Sequence, residues 1–145
     1  MSKAVAVKIS DTVKTGLKRI LEDGVSLVKG KTSDLVGVSG RIESFSCTIL
    51  EGAEWDKKRA EMQKKDAAKF AFMDNMKFNV SGSIKIGDKI AYLNSSLLAM
   101  LLQAKVLEST NEGYIPTNAL IKVHTDKIEI IKTAPQEPTT MVDNF

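Results

Sequence analysis

A chain of 145 residues is one domain's worth, long enough to bury roughly two thirds of the surface its unfolded form would expose. Its 43% hydrophobic and 27% charged content excludes wholesale disorder and a fibrous repeat. The net charge is +3, yet every one of the 21 Lys and Arg lies at or before Lys132 while Glu137 and Asp143 lie beyond it, so a basic body precedes an acidic tail.

After a short apolar start at Ala4 to Ile9, Ser10 is placed to cap a helix in which Val13, Leu17, Ile20 and Leu21 recur at helical spacing and Asp23-Gly24 ends the run. Val25 to Val28 reads as a brief strand before a Gly30-Lys31-Thr32 turn. From Leu35 to Leu50 the apolar parity switches near Glu43 and Ser44, which predicts a long strand bent at a bulge. Gly52 to Asn75 is rich in Ala, Lys, Glu and Asp and lacks proline, predicting a helix of about six turns whose apolar positions form no complete stripe.

Met76 to Ile86 alternates almost without a break, with Phe78, Val80, Ile84 and Ile86 on one side and Lys77, Asn79, Ser81, Ser83 and Lys85 on the other. A period of two demands a strand with one face buried and one face free. Gly87-Asp88 turns it into a short strand, Lys89 to Leu93, and Asn94, Ser95 or Ser96 then caps a core helix carrying Leu97, Leu98, Leu101, Leu102, Val106 and Leu107. Asn111 to Pro116 reads as a turn-rich connection, followed by strands at Asn118 to His124 and Lys127 to Lys132. Residues 1–133 are expected to form one domain, and residues 134–145, which hold all three prolines, a flexible tail or arm. Val38-Ser39-Gly40-Arg41-Ile42 and Val80-Ser81-Gly82-Ser83-Ile84 echo one another, which predicts close backbone approach at both glycines.

Chemistry-bearing patterns are few. The segment from Gly24 to Thr32 has five residues between its glycines where a phosphate loop has four, and strand-like sequence follows it. His124 is the single histidine and Cys47 the single cysteine, which excludes a histidine-rich metal site and an internal disulfide. The acids of residues 51–66 are interleaved with lysines, as on a solvated helix face. No catalytic residue, metal or cofactor is assigned, and an enzyme is not expected. No secretory leader pattern opens the chain and no apolar run approaches the roughly 20 residues of a membrane span, so the expectation is a cytoplasmic protein without membrane contact.

The order after residue 34, namely long bent strand, helical excursion at residues 52–75, strand, strand, helix, strand, strand, resembles the OB fold. The acid beside a terminal aromatic, Asp143-Asn144-Phe145, is similar to the tails of single-stranded-DNA-binding proteins of that fold. The resemblance implies an α+β domain built on a small five-stranded antiparallel barrel that binds single-stranded nucleic acid. Its contacts would be Arg41, Lys77 and Lys85 on a basic sheet face, Lys57, Lys58, Lys64 and Lys65 on the excursion, and Trp55 and Tyr92 as stacking groups. Asp143 and Phe145 would recruit a protein partner. The competing expectation is a self-assembling structural protein, a homo-oligomer such as a virion component, whose arms and excursion bury against neighbouring copies.

Overall fold

The computed structural model describes residues 3–4, 6–27 and 33–133. A two-residue strand, β1 (Lys3–Ala4), precedes helix α1 (Asp11–Glu22). Ser10 caps that helix as its position predicts: the hydroxyl accepts the Val13 N–H at 3.2 Å, and the apolar stripe then buries Val13 and Leu17. The strand expected at residues 25–28 is not formed at Val25 to Leu27. Leu27 is buried, and its N–H donates to the Thr125 carbonyl at 2.7 Å; Val28 and the Gly30 to Thr32 turn lie outside the described residues.

A 3-10 turn (Ser33–Leu35) leads to β2 (Ser39–Gly40) and β3 (Ile42–Glu51), and α2 (Gly52–Lys65) follows directly. The helix is shorter than the six turns expected. Asp66 leaves helical geometry with φ −156° and ψ 91°, its carboxylate accepts the Lys69 N–H at 3.1 Å, and the chain folds back through a 3-10 turn (Ala71–Asn75). Gln63 clamps the reversal by donating to the Phe70 carbonyl at 3.1 Å and to Asp74 at 2.9 Å. A side chain that competes with the backbone for its own N–H donors is the usual way an Asp ends a helix.

Then come β4 (Phe78–Ile86), β5 (Lys89–Tyr92) and α3 (Ser95–Gln103), the last capped by Asn94, which accepts the Leu97 N–H at 2.9 Å. Five consecutive residues of α3, Leu97 to Leu101, are buried. Val106 and Leu107, expected on this helix, lie beyond it, because Lys105 takes φ +61° and turns the chain out. The connection expected at Asn111 to Pro116 is instead half of a hairpin, β6 (Leu107–Thr110) with β7 (Gly113–Pro116). Strands β8 (Leu120–Val123) and β9 (Ile128–Lys132) follow as a second hairpin.

These strands do not close into an OB barrel. They form three open sheets with orders β1-β3-β4-β5, β2-β8-β9 and β6-β7, antiparallel apart from the two-residue β1. The parity switch near Glu43 is real, since the β3–β4 register shifts between Ile42 and Ser44, but the chain separates there rather than bending as one strand. Gly40 at φ +154° turns the chain at Arg41, so β2 pairs with β8 while β3 pairs with β4. One contiguous core nevertheless runs through the described residues, with α1 and α3 packed on each other and Phe45, Ile84 and Ile86 on the inner face of the four-stranded sheet. Among these residues no helix is long and apolar enough to cross a membrane.

Candidate functional site

The outer face of the four-stranded sheet is made by the alternation that the sequence displays. Register pairs Ser44 with Lys85, Ser46 with Ser83 and Thr48 with Ser81, and continues onto β5 by pairing Lys85 with Ile90 and Ser83 with Tyr92. Directly opposed residues share a face, so a flat field of small hydroxyl side chains ends at an apolar margin. Ile90 is 67% exposed and Tyr92 73% exposed, the two most exposed large hydrophobic side chains among the described residues.

Strand β5 is also the last strand of its sheet. The Leu93 N–H donates to the Gly82 carbonyl at 3.0 Å, continuing the register in which Ala91 faces Ile84 and Lys89 faces Ile86. Antiparallel ladders alternate inward and outward backbone groups, so Lys89, Ala91 and Leu93 turn theirs toward β4. The N–H and C=O of Ile90 and Tyr92 therefore point away from the sheet. Natural sheets usually shield such an edge with charge, proline or a bulge, none of which falls at Ile90 to Tyr92.

The residues expected to hold nucleic acid do not form one site. Lys85 is the single charged side chain among the paired outer-face positions above, so the basic sheet face is absent. Arg41 donates from Nε to the Asn118 carbonyl at 3.2 Å and ties β2 to the chain entering β8. Trp55 is 1% exposed, with its Nε1–H on the Met76 carbonyl at 2.8 Å; it anchors α2 and has no face free for a base. Lys57, Lys58, Lys64 and Lys65 are exposed on α2, but Glu54, Asp56 and Glu61 are interleaved with them and Asp56 pairs with Arg59 at 3.0 Å. Lys77 is exposed just before β4, near α2, whereas Lys85 sits seven residues along β4 from Phe78, roughly 23 Å away. Among the described residues there is neither a closed barrel nor a continuous basic surface, so the architecture expected for binding single-stranded DNA does not form. Asp143 and Phe145 lie outside the described residues. Of the two expected stacking groups Tyr92 alone is exposed; Ile90 beside it was missed, although a two-residue turn after Ile86 already fixes its register opposite outward-facing Lys85.

The single cysteine and the single histidine are each held by their surroundings. Burial pushes the Cys47 thiol up to about 12, which leaves it protonated and a poor nucleophile. His124 Nε2 lies 2.8 Å from Glu129, and that hydrogen bond, with weaker attraction from Lys122 and Lys127, holds the Glu129 carboxyl below its ordinary value. Among the described residues no group of three His, Cys, Asp or Glu side chains is arranged to hold a metal ion. No family model, curated protein or solved structure matches the chain.

Proposed function

We propose that this chain is a non-enzymatic association domain that pairs with a second copy of itself through the free edge of β5. One observation carries the reading: the backbone groups of Ile90 and Tyr92 point outward, and both apolar side chains stand on one face of the strand that bears them. Two-fold pairing of antiparallel strands keeps opposed residues on the same face, which allows a pivot at Ala91. Ile90 of each copy then lies opposite Tyr92 of the other, so the aliphatic–aromatic contact is made twice and four backbone hydrogen bonds form. Such cross-strand pairs are among the favourable ones, at about 0.2–1 kcal/mol each. The protonated Cys47 and the engaged His124 support a role without bond chemistry.

Sedimentation of the full chain across a concentration series tests this, beside an Ile90→Pro variant. Proline at this position removes an N–H that faces solvent, leaving the ladder to β4 intact. The expected result is a reversible dimer for the unaltered chain and a folded monomer for the variant. A chain that stays monomeric at about 1 mM, or a variant that dimerises equally well, overturns the proposal.

A further inference from the structure

A second feature stands apart from β5. Helices α1 and α3 and the β6–β7 hairpin enclose an open groove of about 730 Å³. Its floor is apolar, from Leu17 and Leu21 on α1, Leu102 on α3, and Leu107 and Tyr114 on the hairpin. Its rim is basic: Lys14 and Lys18 follow each other by one helical turn, and Lys105 projects from the residue at φ +61° that ends α3, with Glu22 the single acid among the lining residues. Lys14 Nζ already lies 5.3 Å from the Tyr114 ring centroid, so cation and aromatic meet at the mouth. A groove of this make suits a short segment with large apolar side chains and an interspersed carboxylate.

The chain contains such a segment. Beyond Lys132 there is no Lys, Arg or His, and Met141-Val142-Asp143-Asn144-Phe145 places one acid among three large apolar residues. The exit point is close to the groove: Lys132 pairs with Leu120, four residues past Pro116, and Pro116 pairs with groove-lining Leu107. Four residues span no more than roughly 14 Å, and the thirteen residues from Thr133 to Phe145 reach roughly 40 Å when extended. We infer that this groove is the docking site of the chain's own residues 141–145, with Phe145 on the apolar floor and Asp143 at the Lys14, Lys18 and Lys105 rim. Exposed ion pairs contribute little, so the charges orient the segment while Phe145 supplies most of the affinity. Tethering on the same chain raises the effective concentration to the order of millimolar, which suffices for a contact this small.

Zero-length carbodiimide coupling on the full chain, read by mass spectrometry on an equal mixture of unlabelled and 15N-labelled protein, tests the assignment. Asp143 is expected to couple to Lys14, Lys18 or Lys105 within one isotope class, and Phe145→Ser is expected to lower that yield at least fivefold while retaining every charge. Coupling of Asp143 to Lys57 and Lys58 at equal yield, predominantly mixed-isotope products, or no loss with Phe145→Ser overturns it. The same measurement on the Ile90→Pro chain separates it from β5 pairing: unchanged products there leave the groove assignment standing whatever becomes of the dimer.

Discussion

Glu129 and Gly82 show how a single side chain, or the lack of one, is fixed by its surroundings. The hydrogen bond from His124 favours the ionised Glu129 carboxyl, so its folded-state pKa lies below the unfolded value. The sign follows: this stabilisation is present above the ordinary carboxylate range and is lost as pH falls through the lower folded-state value. Urea midpoints of Glu129→Gln should therefore fall below those of the unaltered chain near neutral pH and converge with them in strong acid. The difference should be small, because the pair is open to solvent, with the Glu129 side chain 53% exposed. Gly82 is a sharper case. At φ +140°, an added Cβ would be driven into the Ser46 carbonyl oxygen of the neighbouring strand, whereas Gly37, at φ +88°, has open space around the same position. Gly82→Ala should cost about 3 kcal/mol or more by thermal or urea unfolding, and Gly37→Ala about 1 kcal/mol from backbone strain alone. The echoed Val-Ser-Gly motif made close approach at Gly40 and Gly82 legible in the sequence. It did not show that Gly40 meets the Gly87 backbone and Gly82 meets β3, since two similar segments need not be neighbours.

At the scale of elements, α2 illustrates why composition identifies a helix better than it places the residues that matter. Good helix formers make up most of the fourteen residues of the element, but a weakly amphipathic helix has little packing of its own. One side chain supplies the anchor. Trp55 is buried and bonded to the Met76 carbonyl, across the reversal that brings the chain from α2 to β4. Trp55→Phe should keep most of the apolar contact but leave that carbonyl without its donor, a loss of about 1–3 kcal/mol. Trp55→Ala should cost about 3–5 kcal/mol through the cavity as well. Alanine at Lys57, Lys58, Lys64 or Lys65 should move stability by no more than about 0.5 kcal/mol each, so denaturant unfolding of the set separates anchor from surface. The alternation of β4 and the caps Ser10 and Asn94 were readable because each is a local pattern of period two or a local hydrogen bond. The end of α2 at Asp66 was not readable, because it depends on Gln63 reaching Phe70 and Asp74 after the chain has reversed.

For the whole molecule, three open sheets leave edges that a closed barrel would have removed, and the edge strand β5 carries the two most exposed large apolar side chains, ahead of Ile130 and Ile131 on the edge strand β9. Pairing two copies there would join two four-stranded sheets into one of eight strands. The contact comprises a short strand edge and four large side chains, well under the roughly 1,200 Å² of a standard stable interface. A dissociation constant weaker than about 1 μM is therefore expected for the pair alone, with Tyr92→Lys or Ile90→Lys abolishing dimer in the sedimentation series and leaving the circular dichroism spectrum unchanged.

By itself the sequence determined the local elements: the capped α1, the two-faced β4, the turn at Gly87-Asp88, the buried α3 and the β8–β9 hairpin. Each follows from short-range periodicity and capping chemistry that survive in any fold. Only the tertiary structure decided which strands pair. An irregularity at Arg41 and Glu43 is equally compatible with a bend in one sheet and a passage between two, and long-range hydrogen bonding from β2 to β8 selects the second. That choice turned Arg41 and Trp55 from expected ligand contacts into structural ties, and left β5 without a further strand beside it among the described residues.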